Sequence, residues 1–153
     1  MNKKEFLNKL FTDNKLTKED IFTSKNYIII TRSGIEKIQY KNQIIVDFEV
    51  IKVEPEFSVV KAISSKNKQE IQTFGSAKWS AYTDVKKKPK AGEEYVTRQL
   101  LHGNTNSWYV TELAEKRALS RIVLKIMGLY ELGVFGEDEG VHLDEKEQKL
   151  SDL

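Results

Sequence analysis

Cysteine is absent from the 153 residues, which rules out disulfides and thiolate metal sites. Histidine occurs twice, as His102 with no second ligand nearby and as His142 in the tail, so no metal site is expected. No glycine-rich phosphate loop and no Ser-His-Asp set is present. The chain therefore reads as a non-enzyme. No stretch approaches the roughly 18 apolar residues that a bilayer-crossing helix needs, and no N-terminal apolar run resembles a signal peptide. The expected compartment is the cytoplasm.

A large charge excess is also missing: the net charge is only +2. That figure hides an asymmetry. Glu131–Leu153 carries eight acidic residues against two lysines, whereas Met1–Tyr130 carries 23 basic residues against 15 acidic ones. The basic body suits a polyanionic partner, and it equally suits a lysine-rich surface with a solvated acidic tail. The length fits one domain, taken as residues 1–139, followed by an acidic tail over 140–153 that is expected to be flexible.

Apolar spacing supplies the elements. Phe6, Leu7, Leu10 and Phe11 predict a short amphipathic helix. Thr17 and Asp20 resemble a capping box before a second short helix with Ile21 and Phe22. Asn26–Ile30 reads as extended. Ser33 and Glu36 fit another capping box, opening a helix that buries Ile35 and Ile38 and ends near Asn42. Three strands follow. In the first, Ile44, Val46, Phe48 and Val50 mark one buried face, and a phase slip to Ile51 and Val53 predicts a bulge near Val50. Phe57–Ile63 forms the second strand, Lys66-Asn67-Lys68 the hairpin turn, and Gln69–Trp79 the third. Gly75 and Ala77 strip side chains from one face of that strand and invite a helix backbone close. Residues 80–106 show little periodicity beyond a short strand over 94–101. A long helix then spans 107–127, stopped by Gly128. The fold class is α+β: a β-β-β-α core in which an antiparallel meander carries the long C-terminal helix on one face.

That helix poses the main question. Arg117, Arg121 and Lys125 recur every four residues and share one face with Val110, Ala114 and Gly128. Leu119, Ile122, Val123, Ile126 and Leu129 lie opposite, so the C-terminal half is packed by its back and holds the cations outward or in a groove. Successive turns rise about 5.4 Å, close to the phosphate spacing of an unstacked strand. The alternative is an ordinary solvated face with local ion pairs.

The run Ala114-Glu-Lys-Arg-Ala118, then Ser120-Arg121, then Leu124–Leu129 with Gly128, followed by an acidic stretch, resembles the closing helix of single-strand annealing proteins of the Erf-like and Redβ-like phage recombinase superfamily. The β-β-β-α order before it and the segment Gly75-Ser76-Ala77 fit the same resemblance, which spans about Thr31–Glu139. The resemblance implies ATP-independent binding of single-stranded DNA and annealing of complementary strands in recombination or repair, with no cofactor. It also implies a ring or filament of identical subunits in a bacterial host cell, with an exonuclease or single-strand-binding protein as a further partner. Arg121 and Lys125 carry over as groups facing the strand, and Arg117 extends their row.

Other candidates follow from residue type. Lys86, Lys87, Lys88 and Lys90, with Arg98, read either as a nucleic-acid-holding arm or as a solvated loop. Trp79, Tyr82, Trp108 and Tyr109 offer faces for base stacking or complete a core. Glu137, Asp138 and Glu139 suit a magnesium-dependent nuclease poorly, since such acids usually stand on rigid strands; they either compete with DNA for the basic surface or contact another subunit. Two further readings stay open: an interaction or regulatory protein on the same fold, and a protein that coats single strands without pairing them.

Overall fold

The computed structural model describes residues 2–24, 26–89 and 91–139. Lys90, His142 and the acidic segment 140–153 lie outside the described residues.

The three expected strands form an antiparallel meander: β3 (Asp47–Glu54), β4 (Phe57–Lys66) and β5 (Gln69–Lys78), in the order β3-β4-β5. The β4–β5 turn is tight, with Asn67 and Lys68 both at positive φ, 51° and 64°, as a two-residue hairpin of matching twist requires. The register of β3 against β4 shifts between Val50 and Lys52, where the apolar phase slips.

Helix α3 (Val110–Ile126) lies across β4 and β5. It starts three residues later than the spacing predicts, because Tyr109 is not helical (φ −83°, ψ 63°). Small residues permit the contact. A Cβ on Gly75 would stand 2.1 Å from the Ala114 carbonyl oxygen and 2.3 Å from the Ala118 nitrogen. Val60, Ala77, Val110 and Ala114 form the buried cluster beneath, and the Thr73 hydroxyl donates to the Ala118 carbonyl at 3.0 Å. The expected β-β-β-α core and the α+β class are both present.

The burial expected of the first strand is not. All eight residues of β3 are exposed. Phe48 and Val50 stand opposite Ala62 and Val60, and Val53 opposite Ser58, so they share the α3 side of the sheet. Yet they remain 40%, 56% and 59% exposed. Alternation identified two faces; it could not show that α3 covers β4 and β5 only. Ile44 and Val46, placed in the same strand by spacing, precede it and pack on the main core.

That main core sits under the C-terminal half of α3. Ile122, Val123, Leu124 and Leu129 meet Ile35 and Ile38 of α2 (Arg32–Lys41) and Leu7 and Leu10 of α1 (Lys3–Asp13). A second small sheet closes it: β1 (Ile21–Thr23), β2 (Ile28–Ile30) and β8 (Val134–Gly136), with β2 parallel to β8. Ile21 and Phe22 are thus extended rather than helical. The Thr17–Asp20 capping box forms, but it holds only the single 3-10 turn Lys18–Asp20 before Ile21 pairs with Ile30. The N-cap of α2 is Thr31, not Ser33: the Thr31 hydroxyl accepts from the Gly34 N–H at 3.2 Å, which places Ser33 inside the helix.

Residues 80–106 are not a structureless loop. They contain a hairpin of β6 (Tyr82–Lys87) and β7 (Tyr95–Leu100), the latter matching the short strand expected over 94–101. β6 escapes sequence reading because most of its residues are exposed, which removes the apolar alternation that marks a half-buried strand.

Candidate nucleic-acid interface

The basic row of α3 runs along the outer edge of β5. Alternate residues of an antiparallel edge strand point their backbone groups outward, and here those groups are taken by side chains. Asn104 accepts from the Lys78 N–H at 2.7 Å and donates to the Ser76 carbonyl at 3.1 Å. Arg121 donates to the Phe74 carbonyl at 2.9 Å and Lys125 to the Gln72 carbonyl at 3.5 Å. The row therefore has a structural duty: it blunts a strand edge.

Arg117 sits deeper, with its side chain 12% exposed. Burial pulls its guanidinium down from its ordinary value, and the facing Asp138 carboxylate opposes that pull; an arginine stays charged regardless. Its Nη1 lies 3.6 Å from Asp138 Oδ2, while Arg121 Nε lies 3.5 Å from Glu139 Oε1. Arg32, at the start of α2, adds a third cation, with its Nε 3.6 Å from Glu137 Oε1. Charge spacing along α3 gave no sign of Arg32, because it belongs to another helix.

A cleft of about 570 Å³ opens beside this row, between α3, β5 and the β6–β7 hairpin. Arg32, Arg98 and Arg117 line it, together with Tyr82, Glu137 and Asp138. The Arg98 guanidinium lies over the Tyr82 ring, 4.9 Å from its centroid. Residues two apart share a strand face, so Lys86 stands on the Tyr82 side of the hairpin and Lys87 on the other. Lys86, Lys87 and Lys88 are exposed, and Lys90 lies outside the described residues. Lys125 is on the same helix face as Arg117 and Arg121 but does not line the cleft.

The aromatic candidates divide. Trp79 and Trp108 stack on each other, with ring centroids 5.8 Å apart and planes 24° apart. Trp79 is the inner ring, its Nε1 buried and without a hydrogen-bond partner, whereas Trp108 is 81% exposed. Tyr82 and Tyr109 are exposed as well. The segment carrying His102 and Asn104 reaches β5 through Gly103, where a Cβ would stand 2.4 Å from the Lys78 carbonyl oxygen.

The three acids at 137–139 form a 3-10 turn that folds back onto the arginines. Their carboxylates diverge onto three separate guanidinium groups, and among the described residues no three His, Asp or Glu side chains are placed to hold a metal ion. Among the described residues no helix is long and apolar enough to cross a membrane. No protein-family model, no curated protein and no solved structure matches this chain.

Proposed function

We propose that the protein binds single-stranded DNA by its phosphates and anneals complementary strands without nucleotide hydrolysis, acting as a homo-oligomer. The convergence of Arg32, Arg98 and Arg117 on one cleft, with Arg121 continuing the row, carries this reading. Guanidinium groups from two helices and a hairpin form a track that phosphate oxygens fit. Trp108, Tyr82 and Tyr109 supply exposed π-faces that any base can use. Backbone-directed binding of this kind leaves base edges free to pair, as annealing demands.

The test is fluorescence anisotropy of a labelled oligothymidylate across a potassium chloride series, with duplex DNA as competitor, followed by a complementary-strand annealing assay. Salt-sensitive binding that prefers the single strand, with faster annealing, is the expected result. Binding without faster annealing favours a strand-coating protein. No binding at low salt, either by wild type or by a Glu137→Gln/Glu139→Gln variant, removes the DNA reading. That outcome favours a second one, a protein-interaction module on the same fold, for which the exposed apolar row Phe48, Val50 and Val53 is the specific support.

A further inference from the structure

We propose that the Glu137-Asp138-Glu139 turn is a built-in phosphate mimic: its three carboxylates occupy the seats of strand phosphates on Arg32, Arg117 and Arg121, and the incoming strand displaces it. The inference rests on the DNA-binding reading above and adds Arg32 to the phosphate-contacting row.

The pairing is one to one. Glu137 meets Arg32, Asp138 meets Arg117 and Glu139 meets Arg121, at 3.6, 3.6 and 3.5 Å. Three adjacent carboxylates repel one another, so a turn that presents all three to one surface needs cations spaced to receive them. A row that accepts three successive carboxylates has the spacing to accept successive anionic groups from another chain.

The pairs are loose. Charge-assisted hydrogen bonds run at about 2.7–2.9 Å, and all three separations are longer. Arg117 Nη1 donates a long hydrogen bond, 3.4 Å, to the Asp138 carbonyl oxygen, while Arg117 Nε and Asp138 Oδ2 are buried without a hydrogen-bond partner. A phosphate, with more acceptor oxygens, satisfies such a guanidinium better than this carboxylate does. The acids also stand in the path of a ligand, since Glu137 and Asp138 form part of the cleft wall.

The turn is attached so that it can leave. It follows β8, whose pairing with β2 ends at Gly136 opposite Ile30. Gly136, the last paired residue of β8, lets the turn lie close: a Cβ there would stand 2.8 Å from Asp138 Oδ1. Beyond the arginines the turn is held by Glu139, which accepts from the Gly136 N–H at 3.3 Å and from the Tyr130 hydroxyl at 3.3 Å. Swinging residues 137–139 away breaks those contacts and leaves the β2–β8 pairing intact.

The test uses the full chain and a labelled oligothymidylate. Glu137→Gln with Glu139→Gln removes two competing charges, keeps the acceptor oxygen that Glu139 offers to Gly136 and Tyr130, and leaves buried Asp138 in place. This variant is expected to bind five- to tenfold more tightly than wild type, and Glu137→Gln alone two- to threefold. Hydrogen exchange supplies the second readout: amides of residues 137–139 in the wild type are expected to exchange faster once the oligonucleotide is bound. Unchanged or weaker binding by both variants, with exchange unchanged or slowed, overturns the mimic. In that case the DNA reading stands if wild type still binds and Arg121→Gln weakens it. If neither wild type nor the variants bind at low salt, the DNA reading falls and the mimic with it. If only the variants bind, the turn shuts the site completely and the mimic is upheld.

Discussion

Asp20 is an ionisable group held from several sides. It is buried, which by itself raises a carboxyl, but the Lys37 ammonium at 2.6 Å, the Thr17 N–H and the Thr17 and Ser33 hydroxyls together outweigh that. The net effect holds it at about 2, below its ordinary value of 3.8. A carboxyl depressed in the folded state stabilises above its unfolded value, and that stabilisation fades as pH falls from about 4 through 2. Asp20→Asn is expected to cost on the order of 1–2 kcal/mol at pH 7, Lys37 being partly solvent-screened, and to flatten the acid limb of the stability curve. Urea denaturation at pH 7 and pH 2.5 reads both effects. Gly75 tests the packing of α3. Gly75→Ala places a methyl against backbone atoms that cannot step aside, so a loss of about 3 kcal/mol or more in chemical denaturation is expected. Trp108 tests stacking. Because its ring is mostly exposed, Trp108→Ala is expected to leave the melting temperature within a few degrees of wild type while lowering oligothymidylate affinity about tenfold.

At the scale of elements, α3 resolves the puzzle its sequence poses. One helix carries a basic row and an apolar face because two layers meet along it. Its first half sits on Gly75 and Ala77, its second half closes the main core, and the row between them lines the outer edge of β5. Edge capping and phosphate contact are compatible roles for Arg121 and Lys125, since a guanidinium has five N–H donors and an ammonium three. Arg121→Gln with Lys125→Gln is expected to reduce the slope of log affinity against log salt by about 1.4 on a single strand, because each substitution leaves one phosphate without its cation. Arg117 is a poorer probe, because its removal strands the buried Asp138 charge and costs about 3–5 kcal/mol of stability. The row was legible in the sequence because a four-residue repeat needs nothing beyond helical geometry. Arg32 was not legible, because it reaches the row from α2 through tertiary packing. β6 and its pairing with the expected β7 stayed hidden for a related reason: Tyr82 and Arg98 meet only once the two strands pair, and β6 lacks apolar alternation.

At the scale of the whole molecule, β3 is the unfinished part. It is an edge strand whose side facing α3 is apolar and bare, a combination that invites pairing or packing with another chain. The homo-oligomer proposed above finds its most suitable contact there. Val50→Lys with Val53→Lys is expected to shift sedimentation velocity toward the monomer with the far-ultraviolet circular dichroism preserved. Annealing is expected to fall more than single-strand binding, because pairing needs an extended track and binding needs only one cleft. A single unchanged sedimenting species would rule out β3 as the subunit contact.

Sequence alone determined the elements whose signals are local. The β3-β4-β5 meander, the bulge after Val50, the hairpin turn at Asn67-Lys68, the small residues under α3 and the stop at Gly128 all follow from periodicity, turn geometry and side-chain size. Only the tertiary structure decided what depends on cover and on distant partners. Which strand is left bare was set by how far α3 reaches across the sheet. Ile21 and Phe22 became a strand because Ile30 and Ile29 lie alongside them. The acidic residues after Gly136 became the counterpart of the basic row because β8 returns the chain beside β2, bringing residues 137–139 onto arginines from two helices. Local free energies fix local geometry; burial and charge pairing are settled only when separate segments meet.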